Sequence, residues 1–96
     1  MISALDALAF CVNQLCREDK RQLDEEVAPQ LTYRALMHVL VRAYQLVCFG
    51  RHHKHVREAV DRCLKCLRHH NTMIPLATCL TYTEVIAALQ LARDAI

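Results

Sequence analysis

The chain has 96 residues, 54% of them apolar, and its 12 lysines and arginines outweigh 10 aspartates and glutamates for a net charge of +2. That is enough apolar material for one hydrophobic core and not for two, so a multidomain assembly is excluded and residues 1–96 are expected to form a single domain. No apolar run reaches the roughly 18 residues of a membrane span, because Asp6, Asn13, His38, Arg42 and Arg51 interrupt every candidate.

The opening Met1-Ile2-Ser3-Ala4-Leu5-Asp6 lacks the basic segment of a signal peptide, and Ile2 stands where N-myristoylation needs glycine. An intracellular, cytoplasmic protein is expected, in a reducing milieu where Cys11, Cys16, Cys48, Cys63, Cys66 and Cys79 stay reduced and mostly buried as small hydrophobes. A domain this small buries only about 60–65% of its unfolded surface, which makes a homodimer an expected route to extra stability.

One glycine and two prolines leave few turns, so the composition favours helix and almost no strand. Ala4 to Arg17 places Ala4, Leu8, Cys11, Val12 and Leu15 on one helical face, with Ser3 available as N-cap. Charges crowd Arg17 to Glu26 ahead of Pro29, and a short second helix is expected there, ending by Ala28. Leu31 to Phe49 is apolar nearly all round except for a narrow stripe of Arg34, His38, Arg42 and Gln45, which predicts a central helix closed by Gly50 as its left-handed cap.

After the basic turn Arg51-His52-His53-Lys54 the next helix runs back antiparallel, from His53 to His70. Val56, Ala59, Val60, Cys63, Leu64 and Leu67 form its inner side; Lys54, Arg57, Lys65 and Arg68, with Asp61, form its outer side. Pro75 suits the first turn of a short helix carrying Leu76, Cys79 and Leu80. Thr81 or Thr83 then caps a last helix that buries Val85, Ala88, Leu89, Ala92 and Ile96. The sum is an all-α fold, a compact bundle of five or six helices around a central antiparallel hairpin.

Charge is sorted along the chain. Residues 1–30 carry a net −3, residues 34–70 a net +6 and residues 71–96 a net −1, and all six histidines fall in the basic middle. Lys54, Arg57, Lys65 and Arg68 lie within a stripe ~80° wide and ~20 Å long, the shape a helix needs to follow phosphates across a groove. The expected binding residues are Arg51, Lys54, Arg57, Arg62, Lys65, Arg68, His69 and His70, acting on phosphates without reading sequence. No Asn, Gln and Arg set aims at base edges and no aromatics alternate with the cations, so a duplex recognised by shape fits better than a stacked single strand.

The run Val56-Arg57-Glu58-Ala59-Val60-Asp61 through Cys66-Leu67, followed by Val85-Ile86-Ala87-Ala88-Leu89, resembles the corresponding stretch of insect nodavirus B2 proteins. The likeness covers about a third of the chain. It implies a dimeric helical bundle that binds double-stranded RNA and suppresses RNA silencing, and hence a viral protein. Where that family has a lysine three positions after the cysteine this chain has His69, the family's later arginine falls at Leu76, and Pro75 interrupts a helix the family keeps continuous. Some thirty N-terminal residues have no counterpart, and the carry-over is confined to Cys66 and His69.

Cys63, Cys66 and His69, or Cys48, His52 and His55, have the residue types of a zinc site. One helix cannot present four tetrahedral ligands, and His69 is rotated ~120° from Cys63, so no metal or other cofactor is expected. No carboxylate pair, phosphate loop or nucleophile elbow appears, which predicts a protein that is not an enzyme. The alternative is a protein-protein interaction adaptor, death-fold-like or a viral accessory module, in which the acidic first third of one copy meets the basic middle of another or of a host partner.

Overall fold

The computed structural model describes residues 3–16, 25–69 and 80–96. Within them lie four helices, α1 (Ala4–Cys16), α2 (Tyr33–Phe49), α3 (Lys54–His69) and α4 (Tyr82–Ala95), and a small antiparallel hairpin of β1 (Glu26–Ala28) and β2 (Leu31–Thr32). The fold is therefore mostly helical, as the composition predicts, with four helices among the described residues. The expected short helix at Pro75 falls in residues 70–79, outside the described residues, as does the 17–24 part of the expected second helix.

Local chemistry sets the helix ends. The Ser3 hydroxyl accepts the Asp6 N–H at 3.2 Å and starts α1, and the Thr32 hydroxyl accepts the Ala35 N–H at 3.2 Å and starts α2. At the other end of α2, Gly50 takes a left-handed φ of 64°; its N–H reaches the Val47 carbonyl at 3.2 Å, while the Arg51 N–H reaches Leu46 at 2.9 Å. These two bonds satisfy carbonyls that the helix leaves without partners. Of the two threonines expected to cap α4, Thr81 does so: its hydroxyl accepts the Glu84 N–H at 3.3 Å while the Glu84 carboxylate accepts the Thr81 N–H at 3.3 Å.

Glu25 to Ala28 corrects the expected helix, because this stretch is extended. Ala28 precedes Pro29 and is pushed toward β conformation by the proline ring, and Val27 is β-branched. Pro29 with its fixed negative φ and Gln30 at φ 64° make the two-residue turn, the φ pattern of a type II turn. Two bonds then hold the segment. The Tyr82 hydroxyl donates to the Val27 carbonyl at 2.6 Å, and the Tyr33 N–H donates to the Glu25 carbonyl at 2.8 Å. Val27, Ala28 and Leu31 end up buried.

The core runs through all four helices, with Leu8, Leu15, Leu36, Leu40, Val60, Leu67, Val85 and Leu89 essentially inaccessible. Both α2 and α4 touch every other helix, whereas α1 packs on α2 and α4, and α3 packs on the same two from the far side. The cross-section is thus a rhombus: α2 and α4 share the short diagonal, and α1 and α3 lie at opposite ends of the long one. A buried bond from the Tyr33 hydroxyl to the Leu15 carbonyl, 2.6 Å, ties the end of α1 to the start of α2. No described helix is long and apolar enough to cross a membrane.

Candidate nucleic-acid interface

α3 is the most sharply two-sided helix. Val56, Val60, Cys63, Leu64 and Leu67 face the core, with Ala59 half-buried beside them. Lys54, Arg57, Arg62, Lys65, Arg68 and His69 are all exposed, and Arg51 is exposed in the connection ahead of the helix. His70 lies outside the described residues. Lys54, Arg57, Lys65 and Arg68 form the stripe that the helical period demands, about 21 Å from end to end, while Arg62 and His69 sit on the adjoining line.

One acid falls inside that stripe, and the fold removes its charge: Arg93 of α4 forms an ion pair with Asp61. The next α4 contact leaves a cation intact, since the Arg68 guanidinium donates to the neutral Gln90 side-chain oxygen at 2.5 Å. Glu58 is exposed, with His55 Nδ1 3.9 Å from a carboxylate oxygen. Among the described residues Lys54, Arg57, Arg62 and Lys65 make no ion pair, and the exposed Glu58 lies one turn from both Lys54 and Arg62 on the same outer side.

The first turn of α3 carries no acid. A helix N-terminus is the positive end of the backbone dipole and ordinarily attracts Asp or Glu, each worth about 0.3–1 kcal/mol. Here the end is flanked by Arg51, His52, Lys54 and Arg57, and its cap is an imidazole: His53 Nδ1 accepts the Val56 N–H at a long 3.4 Å. The positive end of the helix dipole is thus surrounded by further positive charge.

Sequence reasoning missed part of this surface. His38 and Arg42 of α2 line a shallow groove of about 250 Å³ with His53, His55, Val56 and Ala59 of α3. The groove gathers Arg42 and three histidines beside the start of α3, and none of Lys54, Arg57, Lys65 and Arg68 lines it. The signal was the polar stripe on α2, but only the hairpin register shows that its middle meets the start of α3. Phe49, 73% exposed at the end of α2, adds an apolar contact beside the same turn.

Cys63 is buried in the core while His69 is exposed, and among the described residues no three His, Cys, Asp or Glu side chains come together to hold an ion. The expected burial of the thiols holds for Cys11 and Cys63, partly for Cys66, and fails for Cys16 and Cys48, which are exposed; Cys79 lies outside the described residues. Burial, with Glu84 adding to it, pushes the Cys11 thiol up to about 12. Burial, helped by Cys66 and opposed by Arg62, pushes Cys63 up to about 11.

Because the thiolate is the nucleophile, Cys11 and Cys63 should alkylate at least about 100-fold more slowly than Cys16 and Cys48 at mildly alkaline pH. Peptide mapping after a timed maleimide pulse checks this; uniform labelling of the native protein would show that Cys11 and Cys63 are not sealed in the core.

Neither a protein-family model nor a curated protein nor a solved structure matches this chain.

Proposed function

We propose that this is a non-catalytic helical protein that binds double-stranded RNA through the exposed cationic face of α3, without sequence specificity, and acts in the cytoplasm as a viral suppressor of RNA silencing. The observation that carries this reading is the open stripe of Lys54, Arg57, Lys65 and Arg68, whose one included acid, Asp61, is taken up by Arg93. Arg51, Arg62 and His69 extend the stripe at its ends and side. A row of side-chain cations at helical spacing meets phosphates and reads no base edges, and an A-form duplex offers its phosphates and 2′-hydroxyls to such contact while keeping its deep groove closed. The resemblance of residues 56–67 and 85–89 to nodavirus B2 proteins supports the same choice of ligand.

The test is a fluorescence-anisotropy titration with two RNA duplexes of unrelated sequence, about 20 base pairs each, and one of the separated strands. Equal affinity for the duplexes and weaker binding of the strand is the expected result. Preference for one duplex sequence, or no binding to either, would overturn the reading.

A further inference from the structure

His38 and Arg42, one turn apart on α2, face His53 and His55 across the groove of about 250 Å³ between α2 and α3. Val39 and Val56, both buried, and the half-buried Ala59 complete its lining. Among the described residues no acid lines this groove, and neither does any residue of α1 or α4.

The fold leaves these groups with donors to spare. Among the described residues His38 and Arg42 make no side-chain hydrogen bond or ion pair. His53 Nδ1 accepts the Val56 N–H at 3.4 Å, which puts the neutral ring's proton on Nε2 and makes that nitrogen a donor. The His55 ring centre lies 5.7 Å from that of His53, with the planes inclined at 52°. One anion with several oxygens can therefore accept from both rings at ordinary N–H···O distances of about 2.7–3.2 Å.

Geometry selects the ligand. A metal ion is the rival for three imidazoles, but among the described residues no three His, Cys, Asp or Glu side chains come together to hold one. Arg42 moreover puts a permanent cation in their midst. A carboxylate is planar and is served by an arginine fork alone, whereas a tetrahedral oxyanion turns oxygens toward both walls. The volume falls below the roughly 300–1,000 Å³ of sites for drug-sized ligands, so the groove suits a phosphate head and not a whole nucleotide.

We propose that this groove is a proton-linked site for a small tetrahedral oxyanion, a phosphate or phosphate monoester, held by Arg42 and the imidazoles of His38, His53 and His55. Imidazole gains its proton between about pH 8 and 5, and a bound anion favours the charged ring. Binding thus draws protons in, so affinity is high at the acidic end and falls as pH rises. His38 and His55 are the rings that take up the proton, because a proton on His53 Nδ1 would displace the Val56 N–H. Glu58, 3.9 Å from His55 Nδ1, competes with the anion for that ring. Arg34, one turn before His38, adds positive charge from α2, as do Arg51 and His52 ahead of α3 and Lys54 and Arg62 on it. The site is separate from the RNA-binding reading, since none of Lys54, Arg57, Lys65 and Arg68 lines the groove.

Sulfate keeps both its charges across this range, so its pH dependence reads the protein alone. In an NMR titration of the native chain at fixed ionic strength, sulfate should shift the ring signals of His38, His53 and His55 saturably in the millimolar range. Binding should be at least about tenfold tighter at pH 6 than at pH 8, because each proton taken up contributes up to about tenfold per pH unit. Inorganic phosphate should bind at pH 6, and acetate far more weakly. Arg42→Gln and His53→Asn should each weaken sulfate binding at least about tenfold at pH 6. Both positions are exposed, and asparagine preserves the N-cap that His53 supplies.

Shifts that do not saturate, equal affinity at the two pH values, acetate bound as tightly as phosphate, or full binding in both folded variants would overturn the proposal. Should a variant unfold, the pH and acetate comparisons on the native chain decide it. The double variant Arg57→Glu, Lys65→Glu keeps every residue of the groove and should still bind sulfate. Sulfate binding retained there while RNA binding is lost supports a separate site, and loss of both would place the anion on the α3 stripe and overturn it.

Discussion

Reversing two charges on α3, Arg57→Glu together with Lys65→Glu, should weaken duplex RNA binding at least about 100-fold at low salt while leaving the fold in place. The double variant moves the stripe by four charges and replaces two phosphate contacts with two repulsions, so the loss is felt equally by every duplex sequence. Stability should stay within about 0.5 kcal/mol, because both side chains are exposed and make no ion pair among the described residues. An acid near the start of α3 even suits the helix dipole better than the arginine it replaces. Anisotropy, circular dichroism and sedimentation on the same sample separate the possibilities. Loss of RNA binding in a folded protein supports α3 as the duplex-binding face. Loss of self-association in a folded protein, with RNA binding unaffected, would instead support an adaptor that pairs its basic middle with the acids of another copy.

Leu40→Ala should cost about 2–5 kcal/mol, a large part of the 5–15 kcal/mol that holds a domain of this size together. Leu40 is fully inaccessible on α2, one of the two helices that touch all the others, so the void left by truncation has few ways to collapse. At about 4–8 °C per kcal/mol the melting temperature falls by at least about 8 °C, and by far more at the upper end. The adjacent Val41 is exposed, and Val41→Ala should cost only a fraction of that in the same urea titration. Similar losses at both positions would mean that α2 does not seat its Leu40 face in the core.

The helices were legible because their information is local. Ser3, Gly50 and Thr81 announce their caps within four residues of the bonds they make, and the buried faces of α1, α3 and α4 follow from a 3.6-residue period. The hairpin was not legible in the same way. Its decisive bond runs from Tyr82 to Val27 across 55 residues, and a charged run before proline reads equally as a helix end until that partner is known. The site divides along the same line. Exposure of Lys54, Arg57, Lys65 and Arg68 follows from the wheel of one helix. Neutralisation of Asp61 by Arg93, and the approach of His38 and Arg42 to the start of α3, depend on how helices pack against one another.

The salt dependence of duplex binding bears most directly on the central claim, that open α3 cations meet RNA phosphates. If four phosphates are neutralised, log affinity should fall against log salt with a slope near −3.6, an affinity loss of about 100-fold between 50 and 200 mM. The Arg57→Glu, Lys65→Glu variant should then show both weak binding and a flatter line. Native affinity that does not change over that range, or no binding even at the lowest salt, would contradict the claim.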